Sequence, residues 1–280
     1  MEVTLVTHAG TFHADDVFST AFLKMYIRHI GGSIIDIRRV NTINEIDIDN
    51  SNDDAIIYDI GYGDFDHHQE NSPVRENGIP YAAFGLLWRK FAPSMFDGGF
   101  VEEFDKSFVS VIDSQDNGIA ANPLSLTVSA MNPTWDSDKD PDDCFLSAVG
   151  FAEETLKLHF DRYFSRKRAE ISVQNAVRNM RNGILVFDKF VPFEAFVINN
   201  APDVKFAVFP SNREGWTLKT IRKSSDTFEP RVSLPETWLT RDIPNGLLFC
   251  HKALFMATFD TKENAIAAAW SLVKPSPKIR

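Results

Sequence analysis

The sequence predicts an α/β fold in two domains, and three features carry the prediction. Short β-branched runs alternate with helical periodicity through the first half, a long helical stretch follows, and the remainder reads as short strands closed by a helix. Val3–Thr7 is the first strand. Asp15 or Asp16 is placed to cap the helix after it, whose Val17, Ala21, Phe22, Met25 and His29 fall near one face. Ile34–Val40 and Ala55–Asp59 are further strands, and Ala82–Phe91 and Val101–Asp113 read as helices with Pro93 and Gly98-Gly99 punctuating between them. That order belongs to a largely parallel sheet, in which ligands gather at the carboxyl ends of strands. His8 and Asp59 both sit at such ends.

From Asp142 to Arg181 the pattern is helical, with Phe145, Val149, Ala152, Leu156 and Phe160 at helical spacing. Gly183–Phe187, Glu194–Ile198, Lys205–Phe209, Trp216–Ile221 and Leu247–Cys250 are short strands by composition, and Lys262–Leu272 is a closing helix with Thr261 as its cap. The boundary is placed near Gly183, giving domains 1–182 and 183–280.

Composition bounds the function. With 44% hydrophobic residues in 280, each domain has a sizeable core. Cys144 and Cys250 lie far apart and outside any paired ligand spacing, as expected of core thiols in a reducing compartment. Met1 leads straight into the first strand, and no run has the length of a membrane span, so a cytoplasmic protein is expected. A net charge of -10 argues against broad binding to duplex nucleic acid, while leaving room for a local grip on a few nucleotides. The acidic runs Glu45–Asp54 and Asp136–Asp143 read as solvated loops.

The chemistry concentrates in the histidines. Of 7, four fall in two acidic clusters, His8-Ala9-Gly10-Thr11-Phe12-His13-Ala14-Asp15-Asp16 and Asp66-His67-His68. Imidazole and carboxylate together are the ligands of divalent ions in hydrolytic centres. A two-metal hydrolase needs a bridging carboxylate, terminal ligands of mixed His and Asp type, and open coordination positions. Asp59, ending Ile56-Ile57-Tyr58, is the natural bridge; His8, His13 and Asp15 lie on the first strand-to-helix turn, and Asp113 ends a helix before the polar turn Ser114–Gly118.

At these residues the chain resembles the DHH phosphoesterase superfamily, and more closely its melanocyte-proliferating-gene family. The motifs are Thr7–Asp15, Tyr58-Asp59-Ile60-Gly61, Asp66-His67-His68 and Ile112-Asp113-Ser114-Gln115-Asp116-Asn117-Gly118, with Ser233-Leu234-Pro235-Glu236-Thr237-Trp238 and a His251 segment echoing later ones. The resemblance implies a DHH-type parallel-sheet catalytic domain, a smaller α/β substrate-binding domain, and a cleft between them. It implies a centre of two manganese ions, with magnesium or cobalt as substitutes. His8, His13, Asp59 and Asp113 would hold one ion, Asp15, Asp59 and His67 the other, and His68 would stand behind the ligands or face the phosphate. Asp59, His67, His68 and Asp113 would then be catalytic, and Asp116, Asn117, Arg213, Arg222, Arg231 and His251 substrate-binding.

One departure stands out. Where the family usually has His-Ala-Ser-Gly-Phe-Ile-Gly-Gly, this chain reads His251-Lys252-Ala253-Leu254-Phe255-Met256-Ala257-Thr258, without the glycine turn that lets backbone amides approach a phosphate. Arg213, Lys219, Arg222, Lys223, Arg231 and Lys252 supply positive charge to the second domain, and Trp216 and Phe255 are aromatic candidates for stacking on bases. The expected activity is a metal-dependent phosphodiesterase, a 3′-to-5′ exoribonuclease on single-stranded RNA or short oligonucleotides. The alternatives are a small-molecule phosphohydrolase acting on pyrophosphate or a nucleotide, and a non-catalytic metal-binding regulatory protein. No membrane partner is expected; the oligomeric state stays open, a homodimer included.

Overall fold

The computed structural model describes residues 1–45 and 54–273. Most of the acidic run Glu45–Asp54 therefore lies outside the described residues. The chain groups into two compact units, Met1–Phe160 and Asp161–Arg280.

The first unit is built on a three-stranded sheet of β1 (Glu2–His8), β2 (Ser33–Val40) and β3 (Asp54–Ile57), ordered β2-β1-β3 with both pairings parallel. Central β1 is buried from Val3 through Thr7, as befits a strand covered on both faces, which reads as a continuous apolar run instead of an alternating one. Helix α1 (Ala14–His29) follows β1. Its cap is His13, and Asp16, read as a possible cap, sits in the first turn, where its Oδ1 accepts the His13 N–H at 2.9 Å.

After α1, four further helices precede the long one among the described residues: α2 (Ala83–Phe91), α3 (Gly98–Phe104), α4 (Ser110–Asp116) and α5 (Pro123–Ser129). Gly98-Gly99, read as punctuation, opens α3, because Asp97 caps it by accepting the Phe100 N–H at 3.0 Å. A π-helical turn over Asp105–Val109 joins α3 to α4, so the expected helix Val101–Asp113 is one path with a local change of pitch. The unit's core is aromatic, centred on buried Trp88, which meets Phe104 at 4.9 Å and Phe22 at 5.2 Å. Helix α6 (Pro141–Arg178) carries Phe145, Ala152, Leu156 and Phe160 as buried residues of this unit. The first unit ends at Phe160 within α6, whose later turns belong to the second unit.

In the second unit, β4 (Ile184–Val186), β5 (Phe206–Pro210), β6 (Trp216–Thr220), β7 (Leu247–Cys250) and β8 (Met256–Phe259) form one sheet ordered β4-β5-β6-β8-β7. Only β4 and β5 are parallel. Alternate residues of β5 feed separate cores. Ala207 and Phe209 pack with Val173 of α6, and Phe206 and Val208 pack with Ala265, Ala268 and Ala269 of α8 (Lys262–Leu272). Thr261 caps α8 as expected, accepting the Asn264 N–H at 3.2 Å.

Glu194–Ile198, expected as a strand, is instead helix α7 (Glu194–Asn200). Its apolar run mimics a strand, but the residues that enter the core are Phe193, Val197 and Ala201, four apart. Arg231 closes this helix. It donates to the carbonyls of Ala201 at 2.7 Å, Val204 at 2.8 Å, Ile198 at 3.2 Å and Val197 at 3.3 Å, supplying acceptor-rich backbone with donors it would otherwise lack. No helix among the described residues is long and apolar enough to cross a membrane.

Arg231→Ala is therefore expected to lower the free energy of unfolding by about 1–3 kcal/mol, read as a shifted urea midpoint. Unchanged stability would return Arg231 to a surface role.

Candidate metal centre

The site forms where two parallel strands end. His8 is the last residue of β1. Past β3, Tyr58 continues the pairing by donating its N–H to Val6 O at 3.0 Å, and its buried hydroxyl meets Thr20 at 2.5 Å. The next residue, Asp59, turns out of the sheet with φ 56°, a left-handed conformation that non-glycine residues take at a cost. Its N–H donates to Phe65 O at 3.0 Å, tying the turn to the approach of Asp66-His67-His68. Arg39, at the end of β2, fixes the opposite loop by donating to Gly10 O and to Asp142, each at 2.7 Å.

These supports bring six groups around Asp59 and Asp116. His8 Nε2 lies 3.2 Å from Asp59 Oδ2 and 3.3 Å from Asp16 Oδ2. His67 Nε2 lies 3.3 Å from Asp59 Oδ1 and 3.0 Å from Asp116 Oδ2. His13 Nδ1 is 3.9 Å from Asp116 Oδ1, and Asp15 completes that group. Three sets of ligand atoms result, each within the reach of one ion: Asp59, His67 and His68; His8, Asp16 and Asp59; and His13, Asp15 and Asp116. Asp59 belongs to two of them. The centre opens into a cavity of about 720 Å³ that His8, Thr11, Asn41, Tyr62, Gln115 and Ser125 help to line.

The donor set fits divalent cations. Both Asp15 oxygens, Asp16 Oδ2, Asp59 Oδ1 and His67 Nε2 are buried without a directed hydrogen bond. A carboxylate oxygen left so in a protein interior carries a large desolvation penalty unless a cation neutralises it. Burial, then repulsion from Asp59 and Asp116, drives the Asp15 carboxyl well above its ordinary value. Burial raises Asp16 to about 7 against the opposing pull of His8. Burial opposes protonation of both imidazoles, yet the Asp59 and Asp16 carboxylates lift His8 to about 9, and Asp116 and Asp59 lift His67 to about 10. Asp59 itself, although buried, is held down to about 2 by His67 and His8.

Asp113 is the main correction. Expected as a ligand, it lies outside all three sets, fully buried, with its carboxylate accepting from Arg75 Nη2 at 2.7 Å and from the Gly85 N–H at 3.2 Å. Arg75 also makes a two-pronged pair with Asp105 at 2.8 and 2.7 Å. Gly85 is required here: a Cβ would stand 1.9 Å from Asp113 Oδ2. One turn along α4, Asp116, expected to contact substrate, lies in the set with His13 and Asp15 that could hold an ion. Asn117 closes α4, donating to Asp113 O at 2.9 Å. Asp16 was read as part of the first acidic cluster and as a possible cap, but not among the individual ligands. The clue was its place three residues after His13, where a carboxylate can both close the helix and face the preceding strand end.

The remaining expected substrate contacts belong to the second unit. Arg213 is exposed in the β5–β6 turn. Arg222 donates to Glu194 at 2.9 Å, beside Lys219 at 2.8 Å, and Arg231 is engaged with α7. His251 accepts the Ala253 N–H at 3.0 Å in the β7–β8 turn, where Leu254 holds the positive φ (58°) that the family's glycine would take easily. Trp216 lies beneath the Lys262 ammonium, and Phe255 packs on His251 at 4.4 Å.

Two outcomes follow. Ligands must be deprotonated to hold an ion, and His8, His67 and Asp15 keep their protons above their ordinary ranges. Manganese binding should therefore release protons near pH 7 and tighten as pH rises toward about 9. Calorimetry in buffers of different ionisation enthalpy measures this; pH-independent binding without proton release would contradict it. The second separates the two α4 carboxylates. Asp113→Ala should cost about 1–3 kcal/mol of stability by stranding Arg75 and the Gly85 N–H, whereas Asp116→Ala should lose metal affinity without lowering the melting temperature of the ion-free chain.

A family model described as Uncharacterised protein family (UPF0160), with the short label MYG1_exonuc, matches residues 4–272. Similar relatives include a MYG1 protein of Schizosaccharomyces pombe, 26% identical over 95% of this chain and 96% of its own length. The Homo sapiens MYG1 exonuclease is 24% identical over 94% of this chain and 84% of its own. Among solved structures, a pGpG-specific phosphodiesterase, PggH from Vibrio, aligns over 97% of both chains at 15% identity with a TM-score of 0.32. RecJ from Thermus thermophilus, in complex with Mg2+, aligns over 96% of this chain and 50% of its own at 10% identity with a TM-score of 0.29. On the strength of the match across residues 4–272, the chain belongs to the UPF0160 (MYG1) family.

Proposed function

We propose that this protein is a metal-dependent phosphodiesterase that removes nucleotides from the 3′ end of single-stranded RNA or short oligoribonucleotides, with manganese as its preferred ion. The observation that carries the reading is the set of buried carboxylate oxygens without a directed hydrogen bond on Asp15 and Asp16, in the first turn of α1, and on Asp59, just past β3. The exonuclease names of its mammalian relatives support the choice of nucleic acid as substrate.

Asp59, His67, His8, Asp16, His13, Asp15 and Asp116 would hold the ions, with Asp59 placed to serve two of them; His68, although within reach of Asp59 and His67, is taken out of the ligand set by its Nδ1 contact to Asp66 and assigned to proton transfer. Divalent ions there supply polarisation of a phosphoryl oxygen and an acidified water. The protein's own contribution is position and proton transfer. Asp66 Oδ1 holds His68 Nδ1 at 2.6 Å, leaving Nε2 as the nitrogen that can exchange a proton with substrate. His68 is 56% exposed in its side chain, so solvent and substrate reach it, unlike His67 at 8%.

A second reading, a small-molecule phosphohydrolase, draws on the second unit. Of the cations expected to track an RNA backbone, Lys219, Arg222 and Arg231 are already committed to Glu194 or to carbonyls, which favours short substrates over long ones.

With manganese, an oligoribonucleotide should yield 5′-mononucleotides progressively from its 3′ end, and a fully paired duplex should resist. His68→Ala should lower turnover by about a hundredfold or more while metal binding stays near normal, as expected for loss of a proton-transfer group. An intact strand beside rapid hydrolysis of pyrophosphate would replace the nuclease reading with the second one, and no hydrolysis of either would leave a metal-binding protein without this activity.

A further inference from the structure

A phosphate held at the metal centre needs a neighbouring group if a nucleotide is to be told from pyrophosphate, and one side chain on the cavity offers a flat face. Tyr62 lines the same cavity as His8, Asp59 and His68, and is 74% exposed. Among the described residues lining that cavity, no other is Phe, Tyr or Trp. The chain has 5 tyrosines, and the other four are engaged. Tyr58 is buried against Thr20, Tyr26 stacks on Phe91, Tyr81 lies against the Arg75 guanidinium, and Tyr163 packs on Phe164. Tyr62 has no ring partner among the described residues.

Its backbone is held at φ 57°, a conformation uncommon for a bulky residue and kept only where the surroundings enforce it. The enforcing group is Asp66. Its Oδ2 accepts the Tyr62 N–H at 2.7 Å, while its Oδ1 engages the His68 ring at 2.6 Å and the His68 N–H at 3.2 Å. Asp66 is itself 2% exposed. One buried carboxylate thus holds both the backbone that carries the free aromatic ring and the cavity histidine.

We propose that Tyr62 is the platform on which the nucleobase of the terminal nucleotide stacks while its phosphate occupies the metal centre. The proposal rests on the phosphodiesterase reading and narrows it to substrates that carry a base. A tyrosine face accepts any base through its π surface, so recognition here is tolerant of sequence.

The test compares AMP with ribose 5-phosphate, which lacks the base, by calorimetry on the manganese-loaded full chain and on Tyr62→Ala and Tyr62→Phe. All three chains carry a Cβ at the same φ, so backbone strain is common to them. The wild type should bind AMP about tenfold or more tightly than ribose 5-phosphate. Tyr62→Ala should lose most of that preference with ribose 5-phosphate unchanged, and Tyr62→Phe should retain it. An AMP preference that survives in Tyr62→Ala, equal weakening of both ligands, or no preference in the wild type overturns the proposal. Ribose 5-phosphate that fails to bind the wild type, together with an uncleaved oligoribonucleotide, overturns the phosphodiesterase reading beneath it.

Discussion

Repulsion among buried carboxylates is the constraint around which the first unit is organised. Asp15, Asp16 and Asp59 are each at most 4% exposed, and Asp116 stands beside them. A protein interior does not tolerate such a group without counter-charge. In the ion-free chain, burial and carboxylate repulsion drive the Asp15 carboxyl upward, and the surrounding carboxylates lift the His8 and His67 imidazoles, so all three hold their protons more tightly than usual. Stability of the scaffold and readiness to bind a cation are thus two consequences of one charge distribution.

The scaffold must hold this arrangement against its own repulsion, and it does so from outside. Arg39 anchors the His8 to His13 loop, the Thr20 and Tyr58 hydroxyls join α1 to the strand end, and Arg75 with Gly85 sets the rotation of α4. Asp66 belongs to this group although its sequence context, between Phe65 and two histidines, reads as that of a ligand. Its carboxylate is spent on Tyr62 and His68 and so shapes the cavity without joining an ion.

The grouping of these residues was legible in the sequence because it is local. His8, His13, Asp15, Asp59 and His67 stand at strand ends and in short motifs, where spacing alone brings them into one candidate centre. Spacing could not separate Asp113 from Asp116: they lie one turn apart on α4, and the helix rotation that decides which of them faces the candidate centre involves Arg75 and Gly85, remote in sequence. The second unit shows the same dependence. With Glu194–Ile198 read as a strand, the carbonyls that Arg231 serves and the Glu194 carboxylate that holds Lys219 and Arg222 were invisible, and those cations looked free. Helix α5 carried a readable signal, an Asn122 cap followed by Pro123 at the first helical position, in a stretch to which no element was assigned from sequence.

The account turns on Asp59 as a carboxylate shared between two ions. The most direct measurement is anomalous diffraction at the manganese edge from crystals of the manganese-loaded chain. Two peaks flanking Asp59, one with His67 among its ligands and one with His8 or Asp16, are predicted. A single peak that Asp59 does not touch, or a peak coordinated by Asp113, would contradict the account.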